Sequence, residues 1–254
     1  MTAILVHGNP ETPAIWNELT STLNAKVLTP GLPGFGCASP SPWAASMDDY
    51  ADWLVEQIEA EHAISGPVDL VGHDWGGILV PRAATLRPDL VRSWVSDALG
   101  ALHERHHWHD LAQIWRTEGA GEEFFERQRE HSVAEVASAY EGSGMPASVA
   151  STLAEAVDEE FARCVLALYR SAGNPELRAW GEAAEEATLP PGMLLHATAD
   201  PFSGKGVVAG EMAQRLGAST GTLEGQGHWW MLGAPSAAAE LLQDFWRSAG
   251  VPRS

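Results

Sequence analysis

Residues 68–79 read Val-Asp-Leu-Val-Gly-His-Asp-Trp-Gly-Gly-Ile-Leu, and this stretch decides the fold. Its first four residues form a short, mostly apolar run of strand length, and a helical pattern begins after Gly77. Gly72 and Gly76 flank Asp74 with the spacing of a nucleophile elbow, the sharp turn from a strand into a helix that exposes a reactive side chain. We therefore predict an α/β protein with Asp74 at the carboxyl end of a strand.

The pattern around this stretch predicts alternating strands and helices, which is typical of a parallel sheet covered by helices. The predicted strands are residues 3–6, 26–29, 68–71, 93–96, 193–196 and 220–223, so we expect a mostly parallel sheet of about six strands. Residues 100–188 interrupt the alternation with one predicted helix after another. This predicts a core of residues 1–99 and 189–254, with residues 100–188 as a helical cap.

Composition excludes several classes of protein. The chain has 254 residues, of which 45% are hydrophobic, and 34 acidic residues oppose 15 basic ones for a net charge of −19. Because this charge repels phosphate, we predict neither a nucleic acid nor a membrane surface as a partner. The two cysteines, Cys37 and Cys164, lack metal-site spacing. With no targeting segment or membrane span in the sequence, we predict a cytoplasmic protein, and its oligomeric state stays open.

The residue type at the elbow indicates the chemistry. A carboxylate is ionised above about pH 4 and needs no base to activate it. Asp74 therefore suits displacement at a saturated (sp³) carbon, which leaves an alkyl ester on its own side chain. Water must then hydrolyse that ester, and this step needs a histidine base and an oxyanion hole.

Other predicted strand ends supply those groups. His228 lies in a glycine-flanked loop after the last strand, and Asp200 follows the preceding strand, where it can orient the histidine. Asp97 also ends a strand and is the alternative acid. The backbone N–H groups of Asn9 and Trp75 are positioned to form the oxyanion hole. In open α/β sheets the carboxyl ends of the strands meet at the ligand site, so these groups should converge.

These motifs resemble the α/β-hydrolase superfamily and, within it, the haloalkane dehalogenases and epoxide hydrolases. The resemblance covers nearly the whole chain and rests on His7-Gly8-Asn9-Pro10 and Gly72-His73-Asp74-Trp75-Gly76-Gly77. It implies an α/β-hydrolase fold, with the N-terminal strand pair missing because His7-Gly8 comes so early. It also implies a triad of Asp74, Asp200 and His228, with no cofactor or metal, acting on a neutral small-molecule substrate and water.

The resemblance does not decide which group departs from the substrate carbon. In haloalkane dehalogenases, N–H donors at the positions of Asn9 and Trp75 hold the halide. We therefore place halide displacement ahead of epoxide opening. Trp108, in a predicted first cap helix, resembles a further halide donor of the fluoroacetate dehalogenases. Epoxide hydrolases use two cap tyrosines as acids, and Tyr169 and Tyr140 are the candidates here.

Two further alternatives complete the sequence-based interpretation. A capped pocket could serve a non-catalytic small-ligand receptor, although the intact triad favours an enzyme. Four histidines between residues 103 and 109 have helical spacing, and we interpret them as an exposed helix face rather than a metal site, because no second ligand cluster accompanies them.

Overall fold

A computed structural model describes residues 2–202 and 206–249. Six strands form one fully parallel sheet in the order β2-β1-β3-β4-β5-β6. The strands are β1 (Thr2–Val6), β2 (Lys26–Leu28), β3 (Val68–Gly72), β4 (Val91–Ser96), β5 (Gly192–Ala197) and β6 (Ser219–Leu223). The predicted α/β-hydrolase architecture with a six-stranded parallel sheet is therefore confirmed.

Helices cover both faces of the sheet and also form the segment between β4 and β5. The core helices are α1 (Asn17–Thr22), α2 (Met47–Ser65), α3 (Trp75–Leu86), α10 (Gly206–Arg215), α11 (Trp230–Gly233) and α12 (Pro235–Ala249). Between β4 and β5 lie α4 (Asp110–Arg116), α5 (Ala120–Arg129), α6 (Val133–Gly142), α7 (Ala147–Ala156), α8 (Glu159–Ser171) and α9 (Asn174–Glu186). Helices and loops, with no strand among the described residues, lie between these two strands, and the division into core and cap stays a prediction.

The burial of the central strands explains why their sequences are apolar without alternation. Every residue of β1 and of β3 is buried. Along β1, Ile4 and Val6 pack into the core on one face of the sheet, while Ala3 and Leu5 pack into the core on the other. Parallel strands that are covered on both faces have this pattern. No helix among the described residues is long and apolar enough to cross a membrane.

One local prediction is wrong. Residues 103–109 do not form a helix face; they follow a short 3₁₀ turn (Leu99–Leu102) and lead in non-helical conformation to α4. His103 is buried and lies near Glu104 and Glu211, at 3.2 Å and 3.3 Å. The helical spacing of the histidines therefore does not predict a helix here, because burial and contacts with carboxylates hold His103 in place.

Candidate active site

The turn between β3 and α3 has the strained backbone that the elbow motif predicts. Asp74 has φ 51° and ψ −117°, which a residue with a side chain rarely adopts. The flanking glycines make this turn possible by close backbone approach. A Cβ atom on Gly72 would lie 2.1 Å from the carbonyl oxygen of Gly76, and one on Gly76 would lie 2.0 Å from that of Val6. The turn therefore aims Asp74 away from the sheet and into the space below the cap.

The carboxylate of Asp74 is held by the loop after β1. The backbone N–H of Asn9 donates to Oδ1 of Asp74 at 2.8 Å. Burial and the negative charge of Glu11 raise the pKa of Asp74 to about 6, although the nearby histidines, His228 and His73, act in the opposite direction. At neutral pH the carboxyl group is therefore mostly ionised and can act as a nucleophile.

His228 and Asp200 form the pair that the sequence predicts. Nδ1 of His228 lies 2.9 Å from Oδ2 of Asp200. Burial and the neighbouring His73 lower the pKa of His228, but Asp200 and Glu11 outweigh them, so the net shift is upward. The alternative acid, Asp97, is not beside His228; it bonds to His73 instead, with Oδ2 at 2.5 Å from Nδ1. The geometry thus pairs His228 with Asp200.

The side chains proposed for the leaving group meet at Tyr169. Nδ2 of Asn9 donates to the Tyr169 hydroxyl at 3.3 Å. The indole N–H of Trp75 has no well-formed hydrogen bond among the described residues. It nevertheless lies near the Tyr169 hydroxyl, and together with Asn9 it acts to lower the pKa of Tyr169. Burial and the charge of Asp74 dominate, however, and raise the pKa of Tyr169 well above its usual value. The hydroxyl therefore keeps its proton at neutral pH.

The ring of Trp108 packs against Tyr169, with centroids 5.1 Å apart, but its N–H is directed elsewhere. Its indole N–H donates to the carbonyl oxygen of Ala172 at 3.2 Å, and its ring stacks against Trp75 with centroids 5.7 Å apart. It precedes α4 in a non-helical segment, so the predicted first cap helix does not include it. The structure thus makes Trp108 a packing partner of Trp75 and not a donor to the cavity.

A cavity of about 120 Å³ lies between the sheet and the cap. Asp74 and His228 line it from the core, and Tyr140 and Tyr169 line it from the cap. Burial raises the pKa of Tyr140 to about 12. Aromatic side chains form much of the remaining wall: Trp115, Phe124, Phe125, Phe161, Phe202 and Trp229. Such a wall suits a small apolar compound.

Sequence reasoning missed Glu11 and the part played by His73. Glu11 is fully buried, accepts from the Gly8 N–H at 2.8 Å and from the Trp229 indole N–H at 3.0 Å, and has Oε1 3.3 Å from Nε2 of His73. Burial opposes its ionisation, but His73 and His228 outweigh this and lower the pKa of Glu11 to about 2. The available signal was that Glu11 shares the loop after β1 with Asn9.

Comparison with known proteins places this chain in a family. The alpha/beta hydrolase family profile matches residues 3–241, and the chain belongs to that family. Among curated proteins it is similar to (E)-2-((N-methylformamido)methylene)succinate hydrolase of Acinetobacter baylyi, at 29% identity over 45% of this chain and 43% of that one. Lipase LipV of Mycobacterium tuberculosis is 33% identical over 36% of this chain and 34% of its own. The match thus spans less than half the length of either curated relative.

Solved structures show the same fold at low identity. The haloalkane dehalogenase DbeA of Bradyrhizobium elkani has a TM-score of 0.72 and 21% identity, with 98% of this chain and 90% of that chain covered. An E-2-(acetamidomethylene)succinate hydrolase has a TM-score of 0.70 and 18% identity, with 96% and 90% covered. At this identity the likeness concerns the fold alone.

Proposed function

We propose that this alpha/beta hydrolase attacks an sp³ carbon of a neutral organic compound through Asp74. One oxygen of Asp74 bonds to the carbon while the leaving group departs, which produces an alkyl ester on the side chain. Water then attacks the carboxyl carbon of that ester, and His228, oriented by Asp200, takes its proton. The negative charge develops on the oxygen that the Asn9 N–H contacts at 2.8 Å, and the product leaves as an alcohol.

The position of Tyr169 supports an epoxide as the substrate. Its hydroxyl accepts a hydrogen bond from Asn9 at 3.3 Å, so its own proton is free to be donated to a substrate oxygen. An alkoxide leaving group needs such a proton, whereas a halide does not. Tyr140 lines the same cavity as a second phenol. We therefore place epoxide opening ahead of halide displacement, the reverse of the order that the sequence suggested, and Tyr169 is the observation that carries this proposal.

Halide displacement is the second candidate. The side-chain N–H of Asn9 lies at the cavity and the indole N–H of Trp75 has no hydrogen-bond partner among the described residues; weakly basic halide ions accept from such donors. The fold likeness to solved haloalkane dehalogenases is compatible with it. In the present arrangement the Tyr169 hydroxyl receives the Asn9 donor, so a halide would have to displace this oxygen or share its donors.

Trapping the ester tests the shared chemistry and the leaving group together. His228→Gln removes the base, so incubation with styrene oxide should add the whole mass of the epoxide to Asp74. Incubation with 1,2-dibromoethane would add only the bromoalkyl group, with release of bromide. Peptide mapping should locate the added mass on Asp74, and the double variant Asp74→Asn/His228→Gln is the control that gains none.

Wild-type turnover completes the test. Diol from styrene oxide with little bromide from 1,2-dibromoethane supports epoxide hydrolysis, and the opposite result supports the second candidate. In a single turnover in ¹⁸O-labelled water, the label should enter the Asp74 carboxyl group rather than the product. A His228→Gln protein that binds both compounds but keeps its unmodified mass would favour a non-catalytic receptor.

A further inference from the structure

Three buried side chains converge beside the proposed nucleophile. Oε1 of Glu11 lies 3.3 Å from Nε2 of His73 and 3.9 Å from Nε2 of His228. All three ligand atoms lie within 4.8 Å of one another. Nε2 of His73 is fully buried and faces Glu11 without the geometry of a hydrogen bond. Two imidazole nitrogens and one carboxylate oxygen therefore share one small space.

Hydrogen bonds to other groups orient all three side chains. Nδ1 of His73 lies 2.5 Å from Asp97, and Nδ1 of His228 lies 2.9 Å from Asp200, so each ring directs its Nε2 toward Glu11. Glu11 itself accepts from the Gly8 N–H and the Trp229 indole. Histidines that bind metal ions are oriented in this way, with the second ring nitrogen bonded to a carboxylate.

The charge of the site favours a cation. The carboxylates of Glu11, Asp74, Asp97 and Asp200 lie around His73 and His228. His7 also acts on Glu11, but burial lowers the pKa of His7 to about 4, so it adds no positive charge at neutral pH. Because the site is buried, water screens this excess of negative charge poorly. A divalent cation bonded to Glu11, His73 and His228 would offset part of this negative charge.

We propose that Glu11, His73 and His228 form a binding site for a divalent transition-metal ion of the Zn²⁺ class. Two histidines and one glutamate are a known zinc ligand set, with water in the fourth position. Tetrahedral zinc with bonds of about 2.1 Å holds its ligand atoms about 3.4 Å apart. Glu11 lies at 3.3 Å and 3.9 Å from the two imidazole nitrogens, close to that spacing, and the two nitrogens lie within 4.8 Å of each other, so the rings must move closer together when the ion binds. Mg²⁺ and Ca²⁺ prefer all-oxygen sites and should not bind here.

An ion at this place inhibits the enzyme. The other ring nitrogen of His228 is bonded to Asp200, so Nε2 is its remaining position for taking a proton from water. A metal bound to Nε2 removes that base. This effect on turnover rests on the proposed function, whereas the metal site itself does not.

Cobalt and zinc binding to the purified, chelator-treated full chain tests the site. We expect one Co²⁺ per chain with the visible absorption of a tetrahedral complex, displaced by Zn²⁺ but not by Mg²⁺. Glu11→Gln and His73→Asn should each weaken Co²⁺ binding at least tenfold. His103→Asn is the matched control, because His103 is also buried beside two carboxylates, and it should bind Co²⁺ as the wild type does.

The wild-type protein alone can overturn the proposal if a variant fails to fold. X-ray absorption of the zinc-loaded wild type should show two imidazole ligands and no sulfur. A wild type that takes up no Co²⁺ at millimolar concentration, a sulfur ligand, or binding that is unchanged in folded Glu11→Gln or His73→Asn would each exclude the site. If Zn²⁺ binds but catalysis continues at its normal rate, only the inhibitory role is contradicted. If Co²⁺ binds but the protein turns over no substrate, the metal site stands and the proposed function is contradicted.

Discussion

The side-chain amide of Asn9 donates to the hydroxyl of Tyr169 at 3.3 Å, which joins the loop after β1 to cap helix α8 across 160 residues of sequence. The backbone N–H of the same asparagine donates to Asp74. One residue thus contacts both the proposed nucleophile and the proposed acid. This holds the phenol at the same cavity that Asp74 lines.

Removing the phenol should separate the two candidate substrates. Tyr169→Phe keeps the ring packing but deletes the proton donor, so we expect kcat for epoxide opening to fall by about 10²-fold or more. Any bromide release should change far less, because halide needs no proton. Steady-state rates with both substrates measure this, and Tyr140→Phe shows whether the second phenol contributes. Equal losses for epoxide and bromoalkane would contradict an acid role for Tyr169.

The pH profile should report the ionisation of Asp74, the proposed nucleophile. Since Asp74 must be ionised to attack and its pKa is about 6, kcat/KM should fall as the pH drops below about 6. Glu11 is one cause of that raised pKa, so Glu11→Gln should move this acid limb to lower pH. The profiles are measured with a chelator present, over the pH range where circular dichroism shows folded protein. An acid limb that does not move would mean that Glu11 does not act on Asp74.

We expect Asp97 to support mainly the stability of the fold and Asp200 to support mainly catalysis. Asp97 accepts from His73, from the Asp74 N–H at 3.0 Å and from the Trp230 indole at 2.7 Å. The charge on His73 persists because Asp97 and Glu11 outweigh its burial and raise its pKa. Asp97→Asn weakens this buried pair, so we expect a loss of about 3 kcal/mol in the free energy of unfolding, measured in urea.

Asp200→Asn provides the contrast. Its partner is His228 at the edge of the cavity, so we expect a smaller change in unfolding but a large fall in kcat, with the ester on Asp74 accumulating during turnover. Mass spectrometry of the quenched enzyme detects that ester. A stable, fully active Asp200→Asn protein would remove Asp200 from the proposed triad.

Two glycine substitutions test the packing of the elbow. Gly76→Ala would place its Cβ 2.0 Å from the Val6 carbonyl oxygen, and this backbone clash should cost about 3 kcal/mol or more. Gly142, at the end of α6, has open space around its Cβ position, so Gly142→Ala should stabilise the protein by about 0.5 kcal/mol or more. Urea unfolding of both variants gives the comparison. Similar stabilities would mean that the turn relaxes without cost.

The sequence predicted the strands well because their signal is local. The apolar run of residues 68–71 and the glycines around Asp74 are short-range features, and steric limits on the backbone leave few conformations that satisfy them. The sequence left two candidate partners for His228, since Asp97 and Asp200 both end strands. The distance of 2.9 Å between Nδ1 of His228 and Oδ2 of Asp200 decides between them.

The histidines between residues 103 and 109 show where prediction from local spacing fails. Helical spacing predicts a helix only when burial of one regularly spaced face is what stabilises the segment. Here the burial of His103 and the hydrogen bond from Trp108 to Ala172 decide the conformation instead. Contacts with residues distant in sequence leave no periodic trace.

By itself, the sequence determined the parallel sheet, the elbow and the carboxylate at its turn, because strand length, glycine spacing and a carboxylate in place of a hydroxyl are properties of neighbouring residues. Only the tertiary structure decided that Glu11 meets His73 and His228, and that the Tyr169 hydroxyl receives the Asn9 amide. Those pairings depend on where separate loops and a cap helix come to lie. Packing across the whole chain sets those positions, and no single stretch of residues encodes them.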